Sequence, residues 1–267
     1  MSRASDRIAA VRSAWRVQRR VLGALLLREI LTRYGRHNIG FAWLFIEPMV
    51  FTLGVTALWS VIHAGEGSSL PIVAFALTGY STVLLWRNMP SRCITAIEPN
   101  QTLLYHRHVK VIDFYIARIA LEAIGATVSF VLLALFFAYI GWLEPPENTL
   151  KVIWGWIMLF WFGAGLALLV GALAYRNEIV DRIWHPLAYL TFPLSGAAFL
   201  VDALPPRARD LLLWVPMVNA VEYLREGYFG SVIRAHHDMA YMAAFNAGLL
   251  LVALAQVRKV ARRVIPT

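Results

Sequence analysis

The chain has 267 residues, of which 59% are hydrophobic and only 15% charged, and its mean hydropathy is +0.60. Water-soluble domains are nearer about half apolar and about a quarter charged, so the composition excludes one and predicts an integral membrane protein. The net charge of +9 does not indicate nucleic-acid binding, because the cations flank apolar runs and form no separate basic domain.

In chain order, Ile8, Val11, Trp15, Leu22, Leu25 and Leu26 recur at helical spacing, with Arg7, Arg12, Arg16, Arg19 and Arg20 between them. This pattern predicts an amphipathic interface helix over residues 1–36 lying along a membrane surface. The apolar run 21–27 is short and lacks a small-residue cleavage site, so the N-terminus is expected to be retained. Arg28, Arg33, Arg36 and His37 then form a cationic cluster suited to an anionic cytoplasmic face.

Six apolar runs are long enough to span: 39–62, 70–86, 123–143, 152–175, 183–201 and 239–257. At about 1.5 Å per residue, such runs approach the thickness of a hydrocarbon core of about 30 Å. The expected fold is thus an all-α integral membrane protein in which a six-span domain, 37–267, follows the interface helix. With both termini cytoplasmic, 20 Lys and Arg residues lie inside and 5 outside (Lys151, Arg207, Arg209, Arg225, Arg234), which decides the orientation. The external loops 63–69 and 144–149 are short, and the turn residues Gly65, Gly67, Pro145 and Pro146 join their neighbours tightly. The segment 202–238 differs. Pro205 and Pro206 open one short helix, and Pro216 separates it from a second running to Gly227. Neither piece is long enough to span. The run Leu211, Leu212, Leu213, Trp214 and Val215 favours two short re-entrant or interfacial helices over a free loop.

The chain has no Gly-Lys pair: Lys110, Lys151 and Lys259 follow Val, Leu and Arg. A phosphate-cradling loop is therefore absent, and any ATP hydrolysis must come from another polypeptide. One cysteine, Cys93, excludes an internal disulfide and a cysteine-based metal site. His106 with His108, and His236 with His237, lack ligands at helical spacing and are expected to be solvated surface residues. Ser195-Gly196 lacks the setting of a nucleophile elbow. Ionisable residues at span level need a reason. Glu47 precedes Pro48, which frees a backbone carbonyl one turn earlier, and both a structural and a gating role stand open. Arg118 and Glu122, four apart, are expected to form a local ion pair. Gly163, Ala167 and Gly171 make a ridge for close helix packing.

Three stretches resemble the permease subunits of bacterial ABC exporters for surface polysaccharides, in particular the capsular, KpsM-type branch. They are Leu27-Arg28-Glu29-Ile30-Leu31-Thr32-Arg33-Tyr34-Gly35 through Gly40, Trp43, Glu47 and Pro48; Ala96-Ile97-Glu98-Pro99-Asn100-Gln101 through Asp113 to Ala117-Arg118; and Pro193-Leu194-Ser195-Gly196, Leu204-Pro205 and Glu222-Tyr223-Leu224-Arg225-Glu226. Many relatives carry Asn-Pro where this chain has Val215-Pro216. The resemblance implies an inner-membrane homodimer that binds a cytoplasmic ABC ATPase and exports a lipid-linked polysaccharide. ATP and Mg would sit on that ATPase, with no cofactor in this chain, and periplasmic and outer-membrane export proteins are further candidate partners. It also places ATPase coupling on the polar loop with Glu98, Gln101 and Tyr105. For the substrate path, Tyr80, Trp86, Arg87 and Arg92 offer aromatic faces for sugar rings and guanidinium groups for anions, unless they are ordinary belt aromatics and topological cations. Trp43, Tyr189 and Phe192 join them because their spans resemble the channel-forming ones of the family. Export of an O-antigen or teichoic-acid type glycan by the same architecture is the alternative within transport. An intramembrane enzyme acting on a lipid-linked substrate, or a self-sufficient channel, is the alternative outside it.

The charge asymmetry makes a topological prediction. In a Cys93→Ser background, single cysteines at Glu66, Glu147 and Arg234 label from the external side and one at Arg176 does not. Labelling at Arg176 overturns the six-span arrangement.

Overall fold

The computed structural model describes residues 2–34, 38–62, 71–106 and 108–264, and the described residues are helical with no strand. Nine α-helices follow in order: α1 (Ser2–Tyr34), α2 (Asn38–Ile62), α3 (Ile72–Ile94), α4 (Val111–Tyr139), α5 (Thr149–Ala174), α6 (Glu178–Thr191), α7 (Pro206–Leu212), α8 (Pro216–Phe229) and α9 (Met239–Val264). A 3₁₀ helix, Glu98–Tyr105, lies between α3 and α4. The expected first external loop, 63–69, and the 36/37 boundary with Arg36 and His37 lie outside the described residues.

Among the described residues, four helices, α2, α4, α5 and α9, are long and apolar enough to cross a membrane. The run expected at 123–143 starts at Val111, twelve residues earlier, because Asp113 accepts a hydrogen bond from the Lys110 backbone N–H at 2.9 Å and caps the helix start. The run expected at 183–201 is instead α6, fourteen residues or about 21 Å long. Pro193 starts a 3₁₀ turn directly after it, and Gly196, at φ 78°, turns the chain away. Asn148 and Asn177 cap α5 and α6 through their side-chain oxygens.

Helix α5 is central, packed against α3, α8 and α9. Its small-residue ridge faces α3. A β-carbon at Gly163 would lie 2.9 Å from Trp86 Cα, and one at Gly171 would lie 2.9 Å from the Cys93 carbonyl oxygen, while Ala167 is fully buried. Farther along, Gly155 lets α8 approach through Leu224 and Ala220. Tryptophan N–H groups tie neighbouring helices: Trp59 donates to Tyr80 Oη at 3.0 Å, Trp156 to Thr127 Oγ1 at 3.0 Å and Trp184 to Ser91 Oγ at 2.9 Å. Where Pro48 leaves a carbonyl without its helical donor, α4 fits closely. A β-carbon at Gly125 would meet the Leu44 oxygen at 3.1 Å, and Ser129 donates to the adjacent Phe45 carbonyl at 2.7 Å.

In the segment 202–238, α8 is mostly buried and docks against α5, α9 and α3. Its end pairs with the turn before α5, where Asn148 N–H donates to the Gly227 oxygen at 2.7 Å. Arg225, with no exposed surface, donates to the carbonyls of Gly196 (2.6 Å), Ala197 (2.6 Å) and Phe199 (2.8 Å) and lies 4.0 Å from the centre of the Phe75 ring. Glu222, equally buried, accepts from the backbone N–H groups of Val201 and His236, each at 3.3 Å. The motif Glu222 to Glu226 therefore holds the connection from α6 to α7 against α3.

The glycine ridge yields a test of the packing. Gly171→Ala, which adds a β-carbon against the α3 backbone, loses about 1–3 kcal/mol through overpacking, despite alanine's better helix propensity. Gly248→Ala, whose β-carbon meets nothing within 4 Å, does not. Thermal unfolding of the two variants in detergent checks this, and equal melting temperatures would disprove the close approach.

Candidate functional site

One end of the bundle gathers α1, the 3₁₀ helix Glu98–Tyr105, the start of α4 and the end of α9. On α1, Gln18, Leu25 and Glu29 share a face, at spacings of seven and then four residues. That face docks on the bundle. Leu25 is 8% exposed, Gln18 Nε2 donates to Asp113 Oδ1, and Glu29 Oε1 lies 2.9 Å from Arg118 Nε. Arg28 Nη2 donates to the Pro99 carbonyl at 3.0 Å, which attaches α1 to the 3₁₀ helix. The interface helix is thus held by protein contacts in its second half. Trp15, in the first half, is exposed.

The local Arg118–Glu122 pair is corrected by the structure. Arg118 turns instead to Glu29, the Arg92 carbonyl and Thr95 Oγ1. Glu122 accepts from Arg33 of α1, and Arg92 Nε of α3 lies 3.4 Å from the same oxygen. Glu47 of α2 completes the cluster, 3.5 Å from Arg33 Nη2 and 4.0 Å from Arg92 Nη2. Four helices therefore meet through two carboxylates and two guanidinium groups. Glu122 is buried while Glu47 is half exposed, which gives Glu122 the larger share of the attraction because water screens the outer pair.

The proposed path residues fall in different places. Tyr80 is 6% exposed, its hydroxyl accepting from Trp59 and its ring 5.6 Å from that of Phe192. Trp86 is 1% exposed and packs edge-on against Phe162 of α5, so it belongs to the core and offers no face to a ligand. Arg92 is engaged in the charge cluster. Trp43 stands exposed on α2. Arg87 and Tyr189 are brought together, the guanidinium 5.4 Å from the ring centre, and they line a cleft of about 150 Å³ between α3 and α6 with Asn88, Ser91, His185 and Ala188. Sequence reasoning missed the last four, although Arg87 and Ser91, like His185 and Tyr189, are one helical turn apart.

Glu98, Gln101 and Tyr105, expected to contact an ATPase, are all exposed on the 3₁₀ helix, Tyr105 at 82%. Gln101 and Tyr105 line a cleft of about 260 Å³ with Tyr175, just after α5, and Arg263 of α9. At the opposite end, the adjacent histidines are bridged, contrary to the solvated expectation. His236 Nε2 lies 2.7 Å from Asp202 Oδ1 and His237 Nε2 lies 2.8 Å from Glu226 Oε2, which also holds Lys151 through its other oxygen at 2.9 Å. The His236 hydrogen bond, with Arg209 nearby, holds the Asp202 carboxyl below its usual range. Among the described residues, no group of three or more His, Cys, Asp and Glu side chains is placed to hold a metal ion.

The sequence pattern of the family described as ABC-2 type transporter matches residues 20–229. The chain is 42% identical to the capsule polysaccharide export inner-membrane protein CtrC of Neisseria meningitidis serogroup B, over 94% of each chain. It is 37% identical to the capsule polysaccharide export inner-membrane protein BexB of Haemophilus influenzae, again over 94% of each. With the polysialic acid transport protein KpsM of Escherichia coli it shares 28% identity, over 92% of this chain and 96% of that one.

The charge cluster predicts unequal sensitivity. Glu122→Gln leaves Arg33 and Arg92 partly buried without their nearer acceptor and costs about 3 kcal/mol, and trypsin then cuts α1 faster at Arg28 and Arg33. Glu47→Gln, at the half-exposed carboxylate, costs under about 1 kcal/mol. Equal losses in thermal unfolding and equal cleavage rates would contradict the assigned hierarchy.

Proposed function

The chain belongs to the ABC-2 type transporter family, and from that premise we propose that it is the membrane subunit of an ATP-driven exporter for a lipid-linked, anionic capsular polysaccharide. The observation that carries the reading is the near full-length match, at 42% identity, to a capsule polysaccharide export inner-membrane protein. In this reading the chain is not itself an enzyme. A separate cytoplasmic ATPase binds ATP and Mg, and two copies of this chain enclose the path through the inner membrane. The termini face the cytoplasm, in keeping with the cation bias, and periplasmic and outer-membrane proteins continue the route. Helix α3, and α6 continued by the turns that follow it to residue 201, complete six crossings together with the four longer helices, while α7 and α8 form the re-entrant segment that begins and ends on the external side.

Coupling follows from the end of the bundle where α1 docks. The 3₁₀ helix presents Glu98, Gln101 and Tyr105 to solvent, which suits contact with a soluble partner, and the Arg28 contact to Pro99 gives a displaced 3₁₀ helix a direct pull on α1. Through Arg33 and Glu122 the same displacement reaches α4, and through Arg92 it reaches α3. A movement at the ATPase is thereby passed to helices that border the α3–α6 cleft by side chains in contact.

Replacing Glu98, Gln101 and Tyr105 together with alanine is expected to abolish capsule export and ATPase co-purification, with membrane insertion and thermal unfolding within about 0.5 kcal/mol of the parent, as for exposed positions. Export and ATPase retention at parental levels would exclude this segment as the coupling element.

A further inference from the structure

Arg87 differs from the other arginines described at the level of the spans. Arg33, Arg92 and Arg118 each meet a carboxylate, and Arg225 meets three carbonyl oxygens. Among the described residues, Arg87 has the ring of Tyr189 as its charge-stabilising neighbour and no carboxylate at ion-pair distance. A cation–π contact alone is a weak substitute for a counter-ion where water is scarce. Asn88 and Ser91 each have a donor to offer. The Asn88 amide lines the cleft. Ser91 Oγ accepts from the Trp184 indole at 2.9 Å, which leaves the serine proton to donate into the cleft. The nearest acid on α6, Asp181, lies behind His185, whose Nδ1 is 3.1 Å from the Asp181 carbonyl oxygen and 3.6 Å from its carboxylate.

The cleft has room for about 150 Å³, which is roughly five waters at about 30 Å³ each. That suits one compact anion and its bridging waters. It does not suit a run of charged sugars, which would need a row of cations. The rim next to Tyr189 is apolar and exposed: Ile183 56%, Leu187 44% and Leu190 67%. A polar pocket with one cation, bordered by an apolar helix face, matches an amphiphile with a phosphate head and acyl chains.

We propose that the cleft between α3 and α6 seats the phosphate group of an acyl lipid, with Arg87 as the bidentate contact, Asn88 and Ser91 as hydrogen-bond donors and α6 as the surface for the acyl chains. This rests on the exporter reading and deepens it, because a lipid-linked glycan presents such a phosphate where its anchor begins. Bulk phospholipid presents the same chemistry.

The full-length protein is held in maltoside detergent micelles, which carry no phosphate, with a trace of radiolabelled phosphatidylglycerol, and the label that stays with the protein through gel filtration is measured. Arg87→Gln and Arg87→Lys are expected to lower retention about tenfold, as befits one lost charge-assisted contact that lysine cannot reproduce in bidentate form. Arg182→Gln, at an exposed position on the same helix as Tyr189, retains the parental amount. Parental retention by both Arg87 variants overturns the proposal, and so does retention by the lysine variant alone, since a merely topological cation tolerates lysine. Competition identifies the source: displacement by lipid-linked glycan from encapsulated cells at concentrations where unlabelled phosphatidylglycerol has no effect assigns the seat to substrate, and equal displacement assigns it to bulk phospholipid. Displacement by inorganic phosphate at the same concentration overturns the lipid part. Capsule export by cells lacking this chain overturns the exporter reading separately, without touching the lipid measurement.

Discussion

Glu122 is the point on which one end of the molecule depends. A carboxylate at 8% exposure is stable only if cations come to it, and here they come from two other helices, Arg33 of α1 and Arg92 of α3. Because Arg33 also reaches Glu47 of α2, the position of α1 is defined by charge as well as by the burial of Leu25. The 3₁₀ helix Glu98–Tyr105 then sits where α1 holds it, through Arg28. The exposed 3₁₀ helix and the longer helices are thus parts of one electrostatic assembly, with Glu98, Gln101 and Tyr105 themselves left unengaged by it.

The other end is organised by hydrogen bonds to backbone. Arg225 takes the carbonyls of Gly196, Ala197 and Phe199, and Glu222 takes the N–H groups of Val201 and His236, so the irregular connection 196–200 and the segment before α9 are held by a pair of side chains one turn apart on α8. Gly79 is required by the same contact, since a β-carbon there would lie 2.7 Å from Arg225 Nη2 and would collide with the Ala197 carbonyl. Burial of both ions is tolerable because each is satisfied by oriented dipoles in place of water.

Features set by local pattern were legible in the sequence: the four longest apolar helices, the Gly163, Ala167 and Gly171 ridge, the helix starts at Pro206 and Pro216, and the exposure of Glu98, Gln101 and Tyr105. Features set by partners far along the chain were not. Arg118 and Glu122 are correctly spaced for each other, yet each found an acceptor or donor on another helix, and helical spacing contains no information about which helix will be adjacent. The shortness of α6 was obscured because the apolar run continues to residue 201, whereas Pro193 and Gly196 decide the backbone. Trp86 looked like a ligand-facing aromatic beside Arg87, but Gly163 opposite it admits α5 so closely that the indole has nowhere to face except the core. The histidine pair was misread for a related reason: its carboxylate partners, Asp202 and Glu226, lie 34 and 11 residues away.

The long separations at α1 have a consequence for biosynthesis. Gln18, Arg28 and Arg33 bind groups 95, 71 and 89 residues farther along the chain. At about 5–20 residues per second, the ribosome needs roughly 4–20 s to supply those partners after the N-terminal segment has emerged. For that interval Arg33 has Glu47, 14 residues on, as its nearer acceptor, and its contact with Glu122 is added only once α4 has been made. Helix α1 is therefore among the last pieces to be locked in place, and a chain truncated before α4 would keep the contacts of Arg28 to Pro99 and Arg33 to Glu47 while lacking those of Gln18 and Arg33 to α4.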